Sequence, residues 1–371
     1  MAQVILASDS AWSGSSGSQS LARPAIAFFS RGRGSGHAIT DMALIKEVLK
    51  SDNDVEIHWV SYGTGARTLK DNGYNVIDLG LPDQNAFLET QLRATRILAK
   101  LKPHLVLCHE EFSALPAAKV FGLPTVLITD YFVDHRHIWM QCLAYADEIV
   151  FIDDAGNFDE PPYSRGKVHY VGPLVREFTY SLQDRDRARK ELGVQPNTKM
   201  FLALPGNWFT ENRAPLFDLV LSAFCALPFP DKVLVWFAGV DYDLLAAHER
   251  KHPDLIVKNV DWQIERWMVA CDLAITKATR KTSIELACLG VPSISLSRGL
   301  NPIDDLRVSR LSTNTHIDVN TVDAGTLVGL FERVLSSTSP RGCNPPLKST
   351  GRLAAAQRIA YHIGRVTQLR A

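Results

Sequence analysis

Residues 272–297, DLAITKATRKTSIELACLGVPSISLS, form the stretch that decides the fold. Two apolar runs of strand length, Leu273–Thr276 and Ser293–Leu296, enclose an amphipathic run of helical length. This strand–helix–strand order predicts a parallel α/β sheet. Basic and hydroxyl residues fill the turn into the helix. Because a helix N-terminus carries unpaired N–H groups and a positive dipole end, this junction is a candidate phosphate site.

A second junction of the same kind lies near the start of the chain. The apolar run Ala25–Ser30 leads into the loop RGRGSGH at residues 31–37, whose glycines let a ligand approach the main chain closely. His37 falls in the first turn of the next helix, where the dipole disfavours protonated imidazole and leaves a proton acceptor. The alternative is a plain structural turn with a solvent-facing histidine. Two such junctions predict two similar lobes that face each other across a cleft.

Composition excludes several classes of function. The chain has 371 residues, which suits two α/β domains, and its 40 basic residues balance 40 acidic ones. No overall field therefore favours a nucleic-acid partner. The six cysteines show no CxxC spacing, so neither a metal site nor another cofactor is predicted. Without a membrane-spanning run or a signal-peptide pattern, we expect a cytoplasmic protein, and its oligomeric state stays open.

The alternation of strand-like and helical runs divides the chain into four segments. Residues 1–23 are rich in Ser and Gly and predict a flexible tail, and residues 24–173 form a first Rossmann-like lobe. Residues 174–350 form a second lobe after the breaker pair Gly172-Pro173. Residues 351–371 have helical spacing and are expected to pack back across the linker. The predicted fold class is α/β, with two facing doubly wound domains.

The C-terminal junction supplies candidates for holding a nucleoside diphosphate. Cations and hydroxyls that can meet phosphate oxygens cluster at the helix start, namely Lys277, Arg280, Lys281, Thr282 and Ser283. Glu285 lies about one turn further, where a carboxylate can accept both hydroxyls of a ribose. Alternatively, Glu285 is a first-turn acid that complements the dipole, and the cations form a solvated face. The local pattern leaves both interpretations open.

These residues carry a family resemblance. The stretch 272–297 resembles the donor-site signature of inverting GT-B glycosyltransferases, in particular the group of the lipid-linked N-acetylglucosaminyltransferase of peptidoglycan synthesis and the plant galactolipid synthases. The matching positions are Thr282, Glu285, Ala287, Gly290 and Pro292. The glycine loop ending at His37 is similar to the family's first loop, and VGPLVRE at 171–177 resembles its interdomain element, with Arg176 at the arginine position. Ala278 and Thr279 depart from the family, which has glycines there.

The resemblance implies a GT-B fold and the transfer of a sugar, with inversion and without a metal, from a UDP-sugar to an acceptor hydroxyl. The acceptor is a small molecule, a glycan or a lipid, and a lipid would be met by an apolar patch at 87–101 that also brings the protein to membranes. Residues expected at the donor by this resemblance or by the junction patterns are Gly34, Ser35, Gly36, Arg176, Gly206, Asn207, Asp304 and Asp305. For the two aspartates, helix N-capping is an equal alternative.

Candidate bases for the acceptor hydroxyl are His37, Asp130 and His135. Glu110 and Glu111 form a second carboxylate pair, although paired carboxylates after a strand more often lie in a solvated loop. Two other functions remain open on the same fold: a nucleotide-sugar hydrolase or 2-epimerase, and a nucleotide-binding protein that has lost catalysis.

Overall fold

The computed structural model describes residues 23–51, 54–84, 86–205, 216–278, 280–299, 302–336 and 351–368. The predicted tail at 1–23 lies outside these residues apart from Arg23. Within them, two parallel sheets form, each covered by helices on both faces. The predicted α/β fold class is confirmed.

The N-terminal sheet has seven strands in the order β3-β2-β1-β4-β5-β6-β7. They are β1 Ala25–Ser30, β2 Glu56–Ser61, β3 Val76–Asp78, β4 Leu105–His109, β5 Thr125–Thr129, β6 Glu148–Phe151 and β7 Val168–Tyr170. The helices between them are α1 Gly36–Ser51, α2 Gly63–Asp71, α3 Phe87–Leu101, α4 Ala114–Val120 and α5 Ile138–Gln141.

The C-terminal sheet has six strands in the order β10-β9-β8-β11-β12-β13. They are β8 Lys199–Leu204, β9 Lys232–Phe237, β10 Leu255–Lys258, β11 Leu273–Lys277, β12 Ser293–Ser297 and β13 Asn314–Asp318. Its helices are α6 Arg185–Glu191, α7 Leu216–Ala226, α8 Tyr242–Glu249, α9 Ile264–Ala270, α10 Arg280–Cys288, α11 Pro302–Ser309 and α12 Ala324–Ser336. The last helix, α13, spans Gly351–Gln368.

Burial on both faces explains why the strands are continuous apolar runs. Every residue of β4 and β5 is buried. Neighbouring residues enter opposite cores, since Phe28 packs in the cluster that includes α1, whereas Phe29 packs in the cluster beneath α3 and α4. This arrangement is expected of a parallel sheet between two helical layers.

Two further elements are β13 and α11. The strand β13 is polar and is only half-buried, and α11 has Asp304 and Asp305 in its first turn, near where helix N-capping was one of the two alternatives. Backbone pairing with β12 stabilises β13 at the sheet edge, so an apolar alternation is not needed there.

The helix α13 returns to the N-terminal domain and crosses the linker. Its Ala355, Ile359 and Ile363 complete the core next to α1. At Gly351 a β-carbon would lie 2.4 Å from the carbonyl oxygen of Gly172, so only glycine permits this close approach to the linker. The predicted return of the last helix across the linker is confirmed. None of the helices in the described part of the chain is both long and apolar enough to cross a membrane.

Candidate active site

The strand order brings two distant loops together. β1 and β4 are neighbours, and Ser30 at the end of β1 is paired with His109 at the end of β4. The order reverses at this point, since β2 lies on one side of β1 and β4 on the other. Ligands of doubly wound folds bind at such a switch point, outside the carboxyl ends of the strands. The loop after β1 therefore meets the loop after β4 in the cleft.

The glycine loop is held in a fixed shape. Gly34 has φ +66°, a conformation that favours glycine, and a β-carbon at Gly32 would lie 2.3 Å from the Tyr62 ring. The Asp83 carboxylate accepts hydrogen bonds from the N–H groups of Gly34, at 3.3 Å, and Thr64, at 2.7 Å. Asp83 is thus a supporting residue that the sequence pattern did not reveal. The N–H of Gly34 is engaged in the protein and is not offered to a phosphate.

His37 forms a pair with Glu110. The helix α1 begins at Gly36, which puts His37 in its first turn, and His37 Nε2 lies 2.8 Å from Glu110 Oε2. The Arg31 guanidinium donates to the same oxygen at 2.7 Å. Although burial raises the pKa of Glu110, His37 and Arg31 outweigh it and hold that pKa well below its usual range. Glu110 is therefore ionised at neutral pH.

Burial decides the charge of the histidine, and the ionised partner decides its tautomer. Burial lowers the pKa of His37 to about 4, and the positive charge of Lys281 adds to this effect. His37 is therefore neutral at pH 7. Because a carboxylate only accepts hydrogen bonds, the proton of neutral His37 is assigned to Nε2, and the lone pair lies on Nδ1. Nδ1 is the atom able to accept a proton from a substrate.

The expectation of a solvated carboxylate loop is wrong. Both Glu110 and Glu111 are buried at the carboxyl end of β4. Glu110 also has φ +52°, an uncommon conformation for a residue with a β-carbon. Such strain costs about 1–3 kcal/mol and is concentrated at functional sites. The conformation turns the Glu110 carboxylate back toward His37 and Arg31, with which it bonds.

A second buried network lies behind His37. His109 Nδ1 is bonded to Asp41 Oδ1 at 2.5 Å, and the hydroxyl of Ser30 donates to the other Asp41 oxygen at 2.6 Å. The His109 ring packs edge-on against His37, with centroids 4.7 Å apart. The His37 ring is therefore contacted by two successive residues at the end of β4, His109 and Glu110.

The same residues offer donor atoms that a metal ion could use. Among the described residues, atoms of His37, His109 and Glu110 lie within 4.8 Å of one another. However, Arg31 donates to the same Glu110 oxygen that would be a ligand. A cation there would stand beside a buried guanidinium, and the two positive charges would repel each other. The donor set is better suited to a proton acceptor.

The C-terminal junction faces a cavity between the two domains. This donor-side cavity has a volume of ≈ 230 Å³ and includes Thr282 and Glu285 of α10, Arg176 of the linker, and Ser35 of the glycine loop. Glu285 is buried and accepts a hydrogen bond from Arg176 at 2.9 Å. The remaining wall consists largely of residues of the C-terminal domain: Leu204, Phe237, Gly239, Asn259, Val260, Asp261, Trp262, Ile264 and Met268, with Ile39 from α1.

Lys281 links this cavity to His37. Its ammonium lies 3.5 Å from the Thr40 hydroxyl on α1, and its side chain passes beside Gly36. Of the other predicted residues of the junction, Lys277 ends β11, Arg280 begins α10, and Ser283 is fully buried. Lys281 therefore brings a positive charge from the C-terminal domain close to His37.

Other predicted residues do not line the donor-side cavity. Asp130 is buried at the end of β5, and its carbonyl accepts a hydrogen bond from Arg307 of α11 at 3.1 Å. His135 is exposed, with Nδ1 3.7 Å from Asp134. Gly206 and Asn207 lie outside the described residues.

Asp304 and Asp305 occupy the first turn of α11. Asp305 accepts a hydrogen bond from the Ser297 hydroxyl at 2.5 Å, and Asp304 lies 3.9 Å from Arg307. Arg307 itself is buried against the N-terminal domain, where it pairs with Asp153. The two aspartates therefore act at least in part in the structure of the helix start and of the domain contact.

A second cavity lies within the N-terminal domain and is lined in part by Glu110. This acceptor-side cavity measures ≈ 260 Å³ and is lined by Arg31, Arg33, Tyr62, Phe87, Thr90, Glu110, Glu111, Phe112, His137 and Trp139. Glu110 is part of its wall, and the donor-side cavity reaches Ser35 and Ile39 on either side of His37 in the sequence. Glu110 thus places the His37–Glu110 pair at the acceptor-side cavity, and the start of α1, through Ser35 and Ile39, lines the donor-side cavity.

Known proteins resemble this chain in sequence. It is 23% identical over 313 residues, or 73% of its length, to an uncharacterized glycosyltransferase of Methanosarcina acetivorans, covering 78% of that protein. It is 23% identical, over 70% of its length and 74% of the relative, to the undecaprenol-linked N-acetylglucosamine transferase of Bacillus licheniformis. Monogalactosyldiacylglycerol synthase 3 of Arabidopsis thaliana is 31% identical over 33% of this chain and 27% of its own length. No family model matches the chain.

Solved structures share the fold. MurG of Acinetobacter baumannii aligns with a TM-score of 0.60 at 15% identity, covering 92% of this chain and 99% of that one. UDP-GlcNAc 2-epimerase of Neisseria meningitidis aligns with a TM-score of 0.67 at 14% identity, with the same coverage. The predicted GT-B fold is confirmed, and the sequence relatives confirm the predicted resemblance and support the assignment of this chain as a glycosyltransferase.

Proposed function

We propose that the protein transfers a sugar from a UDP-sugar to an acceptor hydroxyl, with inversion at the anomeric carbon and without a metal ion. The observation that carries this proposal is the His37–Glu110 pair, a neutral histidine held by an ionised carboxylate that lines the acceptor-side cavity. One cavity suits the donor and the other suits the acceptor. A cytoplasmic location is part of the same proposal.

The reaction is a single displacement. The acceptor oxygen attacks the anomeric carbon from the face opposite the nucleotide, and its proton passes to His37 Nδ1. The bond from the anomeric carbon to the diphosphate oxygen breaks, and UDP leaves with the electron pair. Glu110 stabilises the imidazolium that forms, because its carboxylate is already bonded to Nε2.

The donor-side cavity provides groups for each part of a nucleotide. Its apolar wall, which includes Phe237 and Trp262, suits the base. Glu285, held by Arg176, is suited to the ribose hydroxyls. Thr282 and Lys281 at the start of α10 meet the diphosphate, where negative charge develops in the transition state.

The test is a donor screen followed by a base variant. Purified protein is incubated with UDP-sugars, with and without acceptors, and released UDP and glycosylated product are quantified. We expect His37→Ala to bind UDP as the wild type does while turnover falls by about 100-fold or more. Equal turnover in the variant, or no UDP binding by the wild type in calorimetry, would contradict the proposal.

A UDP-sugar 2-epimerase or hydrolase is the second candidate, since the fold is shared with a UDP-GlcNAc 2-epimerase. Such an enzyme acts on its nucleotide sugar without an acceptor. The same incubation without acceptor, followed by proton NMR for the epimer or the free sugar, separates the candidates.

A further inference from the structure

The acceptor-side cavity has a chemistry that points to one class of acceptor, provided that the proposed transfer is correct. Ring side chains form much of its wall: Tyr62, Phe87, Phe112, His137 and Trp139. A single ring with apolar faces fits such walls.

The carboxylates of the wall are largely engaged within the protein. Glu111 accepts from the Tyr62 hydroxyl at 3.0 Å and from the Ser113 hydroxyl at 2.5 Å, one bond to each oxygen. Glu110 Oε2 accepts from both His37 and Arg31. Glu110 Oε1 accepts no hydrogen bond from the described residues. Its end of the cavity is next to His37, and it is the place for a hydroxyl that gives its proton to His37 Nδ1 rather than to Glu110.

The polar groups left over elsewhere in the wall are donors. Arg33 uses Nε on the carbonyl of Asp83 at 3.2 Å, and its two terminal amino groups have no partner among the described residues. His137 Nδ1 accepts a hydrogen bond from the backbone N–H of Trp139 at 3.2 Å. The proton of the imidazole is therefore assigned to Nε2, which is a donor. A ligand group that complements these donors is an acceptor of hydrogen bonds with negative charge.

We infer that the acceptor is a small ring compound with a hydroxyl at one end and an anionic group, carboxylate or phosphate, at the other. The hydroxyl lies at Glu110 and His37, the ring lies among the aromatic walls, and the anion meets Arg33. A lipid acceptor is the competing class, because Leu88 and Leu92 of α3 are 70% and 52% exposed. Neither leucine lines the cavity, whereas Arg33 does, and a diacylglycerol offers no charge for its guanidinium.

The test compares three single-ring probes on the full chain by calorimetry and by product formation with the UDP-sugar found in the donor screen. The probes are 4-hydroxybenzoate, 4-hydroxyphenyl phosphate and the neutral 4-hydroxybenzyl alcohol. We expect at least one anion to bind about tenfold or more tightly than the alcohol, since a charge-assisted hydrogen bond is lost in the alcohol. The two anions distinguish carboxylate from phosphate.

Arg33→Gln is expected to remove this preference without changing the affinity for the alcohol or for UDP. Arg67→Gln on α2 is the matched control, since Arg67 is an exposed arginine outside the cavity wall, and it is expected to keep the preference. Equal binding of anions and alcohol, an unaltered preference in Arg33→Gln, or turnover with diacylglycerol vesicles alone overturns the inference. If these results occur while UDP binds and a sugar is transferred, only the acceptor class is wrong. If UDP does not bind, the proposed function itself fails.

Discussion

Replacing Glu110 by Gln tests the His37–Glu110 pair directly. The substitution keeps the size of the side chain and removes its negative charge. In the wild type, Glu110 Oε2 accepts hydrogen bonds from His37 Nε2 at 2.8 Å and from Arg31 at 2.7 Å. Gln can present an amide N–H to His37, so the tautomer with its lone pair on Nδ1 is no longer enforced. The imidazolium formed during transfer also loses its counter-ion. We expect kcat to fall roughly 100- to 1,000-fold, in the range typical of a lost acid–base element.

The pH profile gives a second measure with a defined sign. His37 must be neutral to accept a proton, so kcat/KM of the wild type falls as pH drops through about 4. Glu110 raises the pKa of His37 against the effects of burial and of Lys281. Glu110→Gln therefore lowers that pKa, and the acid limb moves to lower pH. A purely structural defect would reduce activity without moving the limb in this direction.

The stability cost is also predictable. Removing the charge leaves the Arg31 guanidinium buried without its ionic partner, which typically costs 3–5 kcal/mol, and we expect about 3 kcal/mol because the Gln carbonyl still accepts a bond. The assay combines released UDP across pH with urea unfolding at pH 7. Glu332→Gln on the exposed face of α12 is the control and is expected to match the wild type. Full activity of Glu110→Gln with an unmoved acid limb would refute the assignment of His37 and Glu110 as a pair.

Three further changes test other parts of the molecule. Glu285→Gln is expected to weaken UDP binding about tenfold, since the carboxylate held by Arg176 loses its charge, and calorimetry that finds an unchanged Kd would exclude a role at the ribose. Lys281→Met removes a positive charge that lowers the pKa of His37, so the acid limb of the kcat/KM profile is expected to move to higher pH. An acid limb that stays in place would rule out the electrostatic coupling between Lys281 and His37. Burial raises the pKa of Glu148, but hydrogen bonds from α13 outweigh this effect and bring the pKa to about 2. The ionised Glu148 therefore stabilises the fold above about pH 4.5, and this stabilisation is lost as pH falls through 2. Glu148→Gln should lower the free energy of unfolding at pH 7 by about 1–2 kcal/mol, less than the full equivalent of that pKa shift because solvent screens part of the interaction. Urea unfolding should show the difference from wild type disappearing in acid.

The part of the candidate site at α10 was easier to predict from the sequence than the part at His37 and Glu110. Thr282, Lys281 and Glu285 lie on one helix start within a few residues, so local spacing suffices to group them. Glu110 lies far from His37 along the chain, and its role follows from the adjacency of β1 and β4 and from its own positive φ. Asp83 and Asp41 support the site through contacts that no local pattern encodes.

The sequence by itself determined the alternation of strands and helices, the two glycine- and hydroxyl-rich junctions, and the family that the donor stretch resembles. These follow from apolar periodicity and from the chemistry of neighbouring residues, which are local properties of a chain. Only the tertiary structure decided that Glu110 holds His37, that Lys281 reaches from one domain toward His37 in the other, and that Asp130 and His135 do not line the two cavities. The physical reason is that strand order and domain packing set these distances, and burial then sets the charges.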